Sequence, residues 1–114
     1  MSECIFCRIV EGTLPSKRVY EDDECLAFHD VNPQARVHLL VIPKRHIPSL
    51  ADVQLSDRPI LGHLLTICHR VADEAGLTAQ GYRVVINTGA AAGQTVFHLH
   101  FHVMGGRTFR WPPG

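Results

Sequence analysis

In Phe97-His98-Leu99-His100-Phe101-His102-Val103, histidine alternates with apolar residues without a break. Successive side chains of a β-strand point to opposite faces, so such a segment would gather His98, His100 and His102 on one face and the apolar residues on the other. Residues two apart on a strand lie roughly 6.5–7 Å apart along it. That spacing lets neighbouring imidazoles grip one phosphate group from two directions, or ligate a metal ion, or simply form a polar strand face rich in histidine. Just upstream, Gly89, Gly93, Gln94 and Thr95 make a small-residue loop that can bring backbone N–H groups close to an anion. Loop and histidines together supply what phosphoryl or nucleotidyl transfer needs. A neutral imidazole attacks phosphorus and becomes a good leaving group, while donors hold the non-bridging oxygens.

These residues must be positioned by a framework, and the chain predicts one. Ile5 to Val10, ended by Gly12 and Pro15, reads as a short helix. Arg18 to Tyr20 and Cys25 to Phe28 flank the acidic turn Glu21-Asp22-Asp23-Glu24 as a hairpin, and Val37 to Ile42 forms a third strand between Pro33 and Pro43. A helix begins with Ser56 as N-cap, Asp57 in its first turn and Pro59 where a missing N–H matters least, and Gly76 stops it. Its apolar stripe, Ile60, Leu64, Ile67, Cys68, Val71 and Ala75, is widened by Leu61, Leu65 and Ala72 beyond what one sheet face requires, which implies a second partner. Strands over Tyr82 to Asn87 and Val96 to Met104 complete an α+β domain, an antiparallel sheet with its helices on one side.

At 114 residues and 46% hydrophobic content the chain is expected to fold as one domain, residues 1–114, with a real core. Its 11 basic and 11 acidic residues cancel, so the electrostatic footprint of a nucleic-acid binder is missing. No apolar run approaches the roughly 20 residues of a membrane span, and Met1-Ser2-Glu3-Cys4 is unlike a signal peptide. A cytoplasmic protein is expected. In a reducing compartment the close pair Cys4 and Cys7 and the isolated Cys25 and Cys68 point to metal binding or plain burial rather than disulfides.

The motif His98-x-His100-x-His102, with apolar residues between, resembles the signature of the histidine triad (HIT) superfamily. The likeness extends to Glu21-Asp22-Asp23, Ala27-Phe28-His29-Asp30, Asn32-Pro33-Gln34-Ala35, Val41-Ile42-Pro43-Lys44, Gly62-His63-Leu64, Gly81-Tyr82-Arg83 and Trp111-Pro112-Pro113-Gly114, which are similar to the Hint branch. The resemblance implies a HIT-like fold with one main helix and a short N-terminal helix, and a sheet continued across a homodimer. It implies a purine nucleoside phosphoramidase that cleaves nucleoside 5′-phosphoramidates such as adenosine monophosphoramidate, and aminoacyl adenylates, through a nucleotidyl-histidine. Carried over by position, His100 is the nucleophile, with His102, His38 and Thr95 assisting. Asp30 holds the ribose hydroxyls, and Phe6, Ile9, Phe28, Val31 and Leu40 wall the base. Asn87, Gly93, Gln94, Thr95 and His102 surround the phosphate, and Trp111 reaches the partner's site. Thr95 departs from the serine of many Hint members but keeps the hydroxyl.

No cofactor is required for this chemistry. The resemblance adds a structural zinc held by Cys4, Cys7, His46 and His98, against the alternative of two reduced thiols packed near the base pocket. Two other functions compete: a dinucleoside polyphosphate hydrolase, whose branch lacks the Trp-Pro-Pro-Gly ending, and a non-catalytic nucleotide-sensing or partner-binding module. His29, His63 and His69 are expected to be ordinary surface or helix-face histidines.

Overall fold

Residues 3–114 are described by a computed structural model. Their order is α1 (Ile5–Glu11), β1 (Arg18–Glu21), β2 (Cys25–His29), β3 (Val37–Pro43), α2 (Arg58–Glu74), β4 (Tyr82–Val85) and β5 (Phe101–Gly105), with short 3-10 turns between some of them. The strands form one antiparallel sheet in the order β1-β2-β3-β5-β4. This is the expected α+β arrangement, with one main helix and a short N-terminal one. No helix among the described residues is long and apolar enough to cross a membrane.

Local chemistry explains the elements. Cys4 caps α1 by accepting the Cys7 N–H on its sulfur at 3.4 Å, and Gly12, at φ 84°, ends the helix in the left-handed conformation that costs glycine least. The β1–β2 turn pivots on Asp22. One carboxylate oxygen accepts the Glu24 and Cys25 N–H groups at 2.8 and 2.9 Å, and the other accepts the Tyr20 hydroxyl at 2.8 Å and His63 Nε2 at 2.6 Å. Burial alone would raise this carboxyl's pKa; the hydrogen bonds overcome it and hold the group below the usual carboxylate range. His63, given no role from the sequence, thus ties α2 to the hairpin.

Helix α2 starts slightly later than expected. Asp57, not Ser56, is its N-cap, and a 3-10 turn at Leu55–Asp57 precedes it. The ionised Asp57 side chain attracts both the Gln54 N–H, at 2.8 Å, and the Arg45 guanidinium, which a serine hydroxyl could not match. Pro59 sits in the first turn and Gly76, at φ 78°, follows the last, as expected.

Strands β2 and β3 are buried on both faces, and this corrects the expectation that the helices share one side. Cys25, Ala27, Leu39, Val41, Phe101 and Val103 pack against Leu64, Ile67, Cys68, Val71 and Ala72 of α2. On the opposite face Leu26, Phe28, Leu40 and Ile42 pack against Phe6 and Ile9 of α1. The physical reason lies in β2 and β3, whose nearly unbroken apolar runs leave no polar face to meet water. In the expected stripe of α2, Ala75 is exposed, while Ala72 from the widened flank is buried. Cys25 and Cys68 are core residues, and burial pushes both thiols up to about 12.

A second correction concerns the last strand, which covers Phe101–Gly105 instead of Val96 to Met104. Val41 pairs with Phe101, so extending the register would set Ile42 opposite His100 and then Pro43 opposite Leu99. Proline has no N–H to give to a ladder. Leu99 instead donates its N–H to the Ile47 carbonyl at 2.6 Å, and the chain carrying His98 and His100 leaves the sheet. Strand β4 is likewise shorter than the expected Tyr82 to Asn87 and lies at one edge of the sheet.

Candidate active site

Where α1 crosses the sheet, a cavity of about 590 Å³ opens beside the ends of β2, β3 and β5. Phe6, Ile9, Phe28 and Leu40 form its apolar wall, and Asp30, His38, Thr95, His100 and His102 line its polar part. Gly93 also borders it, as does Val31, whose residue is 98% exposed and therefore lies at the mouth. The sequence did not single out Ser16, Asn32, Gln34 and Val96, which line the cavity as well. Proximity in the chain to Asp30, His38 and Thr95 could have pointed to Asn32, Gln34 and Val96, whereas Ser16 carried no such signal. Asn87 and Trp111 are not among the lining residues; Asn87 is half-buried and Trp111 is 84% exposed.

Gln94 is held away from the cavity by its own loop. Its side chain accepts the Gly89 N–H at 2.9 Å and donates to the Pro48 and Val96 carbonyls at 2.9 and 3.1 Å. The N–H groups of Gly93 and Gln94 donate to the Ala90 and Gly89 carbonyls at 3.0 and 3.1 Å. These two amides close the loop, and Gly93, at φ 88°, makes the turn that allows it.

Backbone groups set the tautomers of His100 and His38, and His38 in turn sets that of His102. His100 lies against the His98 carbonyl, Nδ1 to O 2.7 Å, so Nδ1 carries the proton and Nε2 keeps its lone pair. His38 accepts the Gln34 N–H on Nδ1 at 3.0 Å, which leaves its proton on Nε2. That Nε2–H donates to Nδ1 of His102 at 2.8 Å, so His102 in turn carries its proton on Nε2. Oδ2 of Asp30 stands 3.4 Å from the same His38 nitrogen, while its Oδ1 accepts the Asn32 N–H at 2.8 Å. The His100 and His102 rings are 5.0 Å apart, and Phe6 presses edge-on against His100 at 5.1 Å. The result is one imidazole with a free lone pair beside another with a free N–H, both at an apolar-walled cavity. This arrangement can attack an electrophile and stabilise the oxyanion that develops.

The pKa directions agree with neutral rings. Burial lowers His38 despite the opposing Asp30 carboxylate. Burial, and then the neighbouring His100 and His38, push His102 down to about 4 from an ordinary 6.5. The unfolded chain therefore takes up protons that the folded one refuses. The stabilisation that results is complete above the ordinary value and is lost as pH falls toward about 4. The melting temperature is expected to drop across that window, and to drop less in a His102→Gln variant, as scanning calorimetry at stepped pH would measure.

His98 does not share the cavity with the other two. It is fully buried, its Nε2–H donates to the Pro43 carbonyl at 2.8 Å, and Nδ1 is turned toward Cys4, Cys7 and His46. The three-on-one-face expectation fails here because the chain has left the strand before His98. Cys4 Sγ lies 3.4 Å and Cys7 Sγ 3.6 Å from His98 Nδ1, Cys7 Sγ lies 3.3 Å from His46 Nδ1, and the two Nδ1 atoms are 3.2 Å apart. The edges of a tetrahedron around zinc, built from its usual Zn–N and Zn–S bonds, measure roughly 3.3–3.8 Å. The donor set, with two sulfurs and two imidazole nitrogens mutually within 4.8 Å, fits such an ion.

Comparison with known proteins agrees with this geometry. The HIT domain model matches residues 11–109. The chain is 54% identical to an uncharacterized HIT-like protein of Synechocystis sp. over 112 residues, 98% of this chain and 97% of the relative. Among solved structures, a HIT family hydrolase from Legionella pneumophila superposes with a TM-score of 0.96 at 45% identity, covering 98% of this chain and 100% of the other. A histidine triad nucleotide-binding protein from Candida albicans superposes with a TM-score of 0.82 at 30% identity, covering 98% and 85%. Fold, histidine placement and sequence thus converge, and the chain belongs to the HIT domain family.

Proposed function

We propose that the protein is a purine nucleoside phosphoramidase that hydrolyses the P–N bond of nucleoside 5′-phosphoramidates, and the activated phosphoanhydride of aminoacyl adenylates, through a nucleotidyl-His100 intermediate. The observation that carries this reading is the hydrogen bond from His100 Nδ1 to the His98 carbonyl at 2.7 Å, which leaves Nε2 free to attack beside an apolar-walled cavity. In this reading Phe6, Ile9, Phe28 and Leu40 enclose the purine, Val31 closes its outer edge, and Asp30 accepts the ribose hydroxyls. His100 Nε2 attacks the α-phosphorus, and the P–N bond breaks as the amine leaves with a proton from the Thr95 hydroxyl or solvent. His102 Nε2–H holds a non-bridging oxygen, and its Nδ1 is steadied by His38. Water then attacks phosphorus, its proton returning to the Thr95 oxygen or passing to solvent, and the bond from phosphorus to His100 Nε2 breaks as the ring departs as the free base.

The test is steady-state hydrolysis of adenosine and guanosine phosphoramidates against diadenosine polyphosphates. Higher kcat/KM for the phosphoramidates supports the reading. Preference for the polyphosphates would replace it with a dinucleoside polyphosphate hydrolase, and no turnover of either would leave a nucleotide-sensing module.

Two structural parts belong to the same proposal. Cys4, Cys7, His46 and His98 would hold a zinc ion whose role is to brace the segment carrying the nucleophile; with four protein ligands it has no open position for substrate. The protein would act as a homodimer, with β4 pairing across the subunits. Support comes from Leu65 on α2, still 53% exposed, and from β4, whose outer edge is unpaired in the sheet order. A dimeric mass by light scattering at micromolar concentration is expected. In that dimer the exposed Trp111 would contact the leaving group at the partner's site.

A further inference from the structure

A second cavity, of about 680 Å³, adjoins the first and shares Pro15, Ser16, His29, Asp30, Val31 and His38 with it. It lies beyond Asp30 from the apolar wall, and Lys17 and Arg36 complete its rim. Neither cation is part of an ion pair among the described residues, so both charges are available to an anion in the cavity. At the junction of the two cavities the Ser16 hydroxyl is buried without a hydrogen-bond partner, which is costly for a polar atom unless something occupies the space it faces. Asp30 is the one carboxylate in the lining, and its oxygens are directed to the Asn32 N–H and His38 Nε2.

We infer that this second cavity is a phosphate subsite, and that the protein accepts nucleotides carrying an additional phosphate monoester on a ribose hydroxyl. The inference rests on the nucleotide-binding reading of the first cavity. With the base against Phe6, Phe28 and Leu40 and the ribose at Asp30, the 2′ and 3′ oxygens face away from His100 toward Lys17 and Arg36. A monoester on one of these oxygens leaves the other hydroxyl for Asp30; its nearly two negative charges match Lys17 and Arg36, which outweigh the one carboxylate in the lining, and its oxygens can take the Ser16 hydroxyl as donor. The groove thus reads one nucleotide at two places, the 5′-phosphorus at His100 and the ribose phosphate at Arg36.

The test compares adenosine 5′-monophosphate, adenosine 3′,5′-bisphosphate, adenosine 2′,5′-bisphosphate and adenosine 5′-diphosphate by titration calorimetry at constant ionic strength, on the intact chain and on a Lys17→Ala/Arg36→Ala variant. Charge-assisted contacts of this kind predict that at least one bisphosphate binds roughly 10- to 100-fold more tightly than the monophosphate. The gain should vanish in the variant, while monophosphate affinity stays unchanged. The 2′ and 3′ isomers tell which oxygen is read. The inference is overturned if the bisphosphates bind no better than the monophosphate. It is also overturned if the gain survives in the variant, or if the 5′-diphosphate gains equally through the same two residues. Failure of the monophosphate itself to bind would remove the nucleotide reading of the first cavity and this subsite with it.

Discussion

A His100→Ala variant is expected to lose turnover of nucleoside phosphoramidates entirely while binding the nucleotide product within roughly tenfold of the native affinity. The two effects separate because the ring supplies the covalent step but little of the ground-state grip. The apolar wall at Phe6, Ile9, Phe28 and Leu40 and the carboxylate of Asp30 lie elsewhere in the cavity. Removing the imidazole leaves the His98 carbonyl without its donor, but that carbonyl belongs to a segment fixed independently by the Pro43 and Ile47 contacts, so the fold should survive. Rapid-quench trapping of a phosphorus-labelled intermediate on the native enzyme, with calorimetric titration of the variant, measures both halves. Substantial turnover by purified variant, with contaminating enzyme excluded, would remove His100 from the role of nucleophile.

The second large effect concerns the sulfur and nitrogen cluster. Protein purified without chelator is expected to contain about one zinc per chain, and Cys7→Ala to lose it together with much of its stability. Cys7 is the better residue to change because Cys4 also caps α1, and replacing Cys4 would confuse loss of a ligand with loss of a cap. Structural zinc sites contribute on the order of 10 kcal/mol or more of apparent binding free energy in small peptides, and losing even about 3 kcal/mol of that would lower the melting temperature by roughly 10 °C or more. The turnover of the folded fraction should fall far less than in His100→Ala. His98 would still donate to Pro43 and offer its carbonyl to His100, only less firmly held. Elemental analysis and thermal melts decide the matter. Metal-free native protein of unchanged stability would reduce Cys4 and Cys7 to packing residues, and turnover lost with zinc and restored on its return without refolding would make the ion catalytic.

Much of this protein is written in short stretches of chain. The helix at Ile5, the Asp22 hairpin, strand β3 between its prolines and the α2 stripe follow from periodicity and from turn and cap residues acting over a few positions. The same holds for the chemical class: histidines alternating with apolar residues, and the wider likeness to HIT proteins, single out His100 before any coordinates are known. Residue type is enough to name an imidazole that can attack phosphorus. It cannot say which nitrogen is free, or which of three imidazoles meets the substrate.

Those decisions depend on groups far away in the chain. The alternation at His98, His100 and His102 looks like one strand, yet the ladder stops at Val41 and Phe101, short of Pro43, and His98 turns to a separate cluster with Cys4, Cys7 and His46. His98 is oriented by a carbonyl 55 positions away, and His102 by a ring 64 positions away whose own proton is placed by the Gln34 N–H. Gln94 is similar: its type suits a phosphate contact, but the Pro48 carbonyl, 46 positions away, takes its amide for the loop. The apolar runs of β2 and β3 also explain why the expectation of both helices on one side fails: a strand buried on both faces carries no alternation to say which helix covers which. Local spacing therefore determined which elements form and which residue types carry the chemistry. Tertiary structure decided which lone pair each histidine offers and to what, because a tautomer is set by the one hydrogen-bond partner that folding brings within about 3 Å.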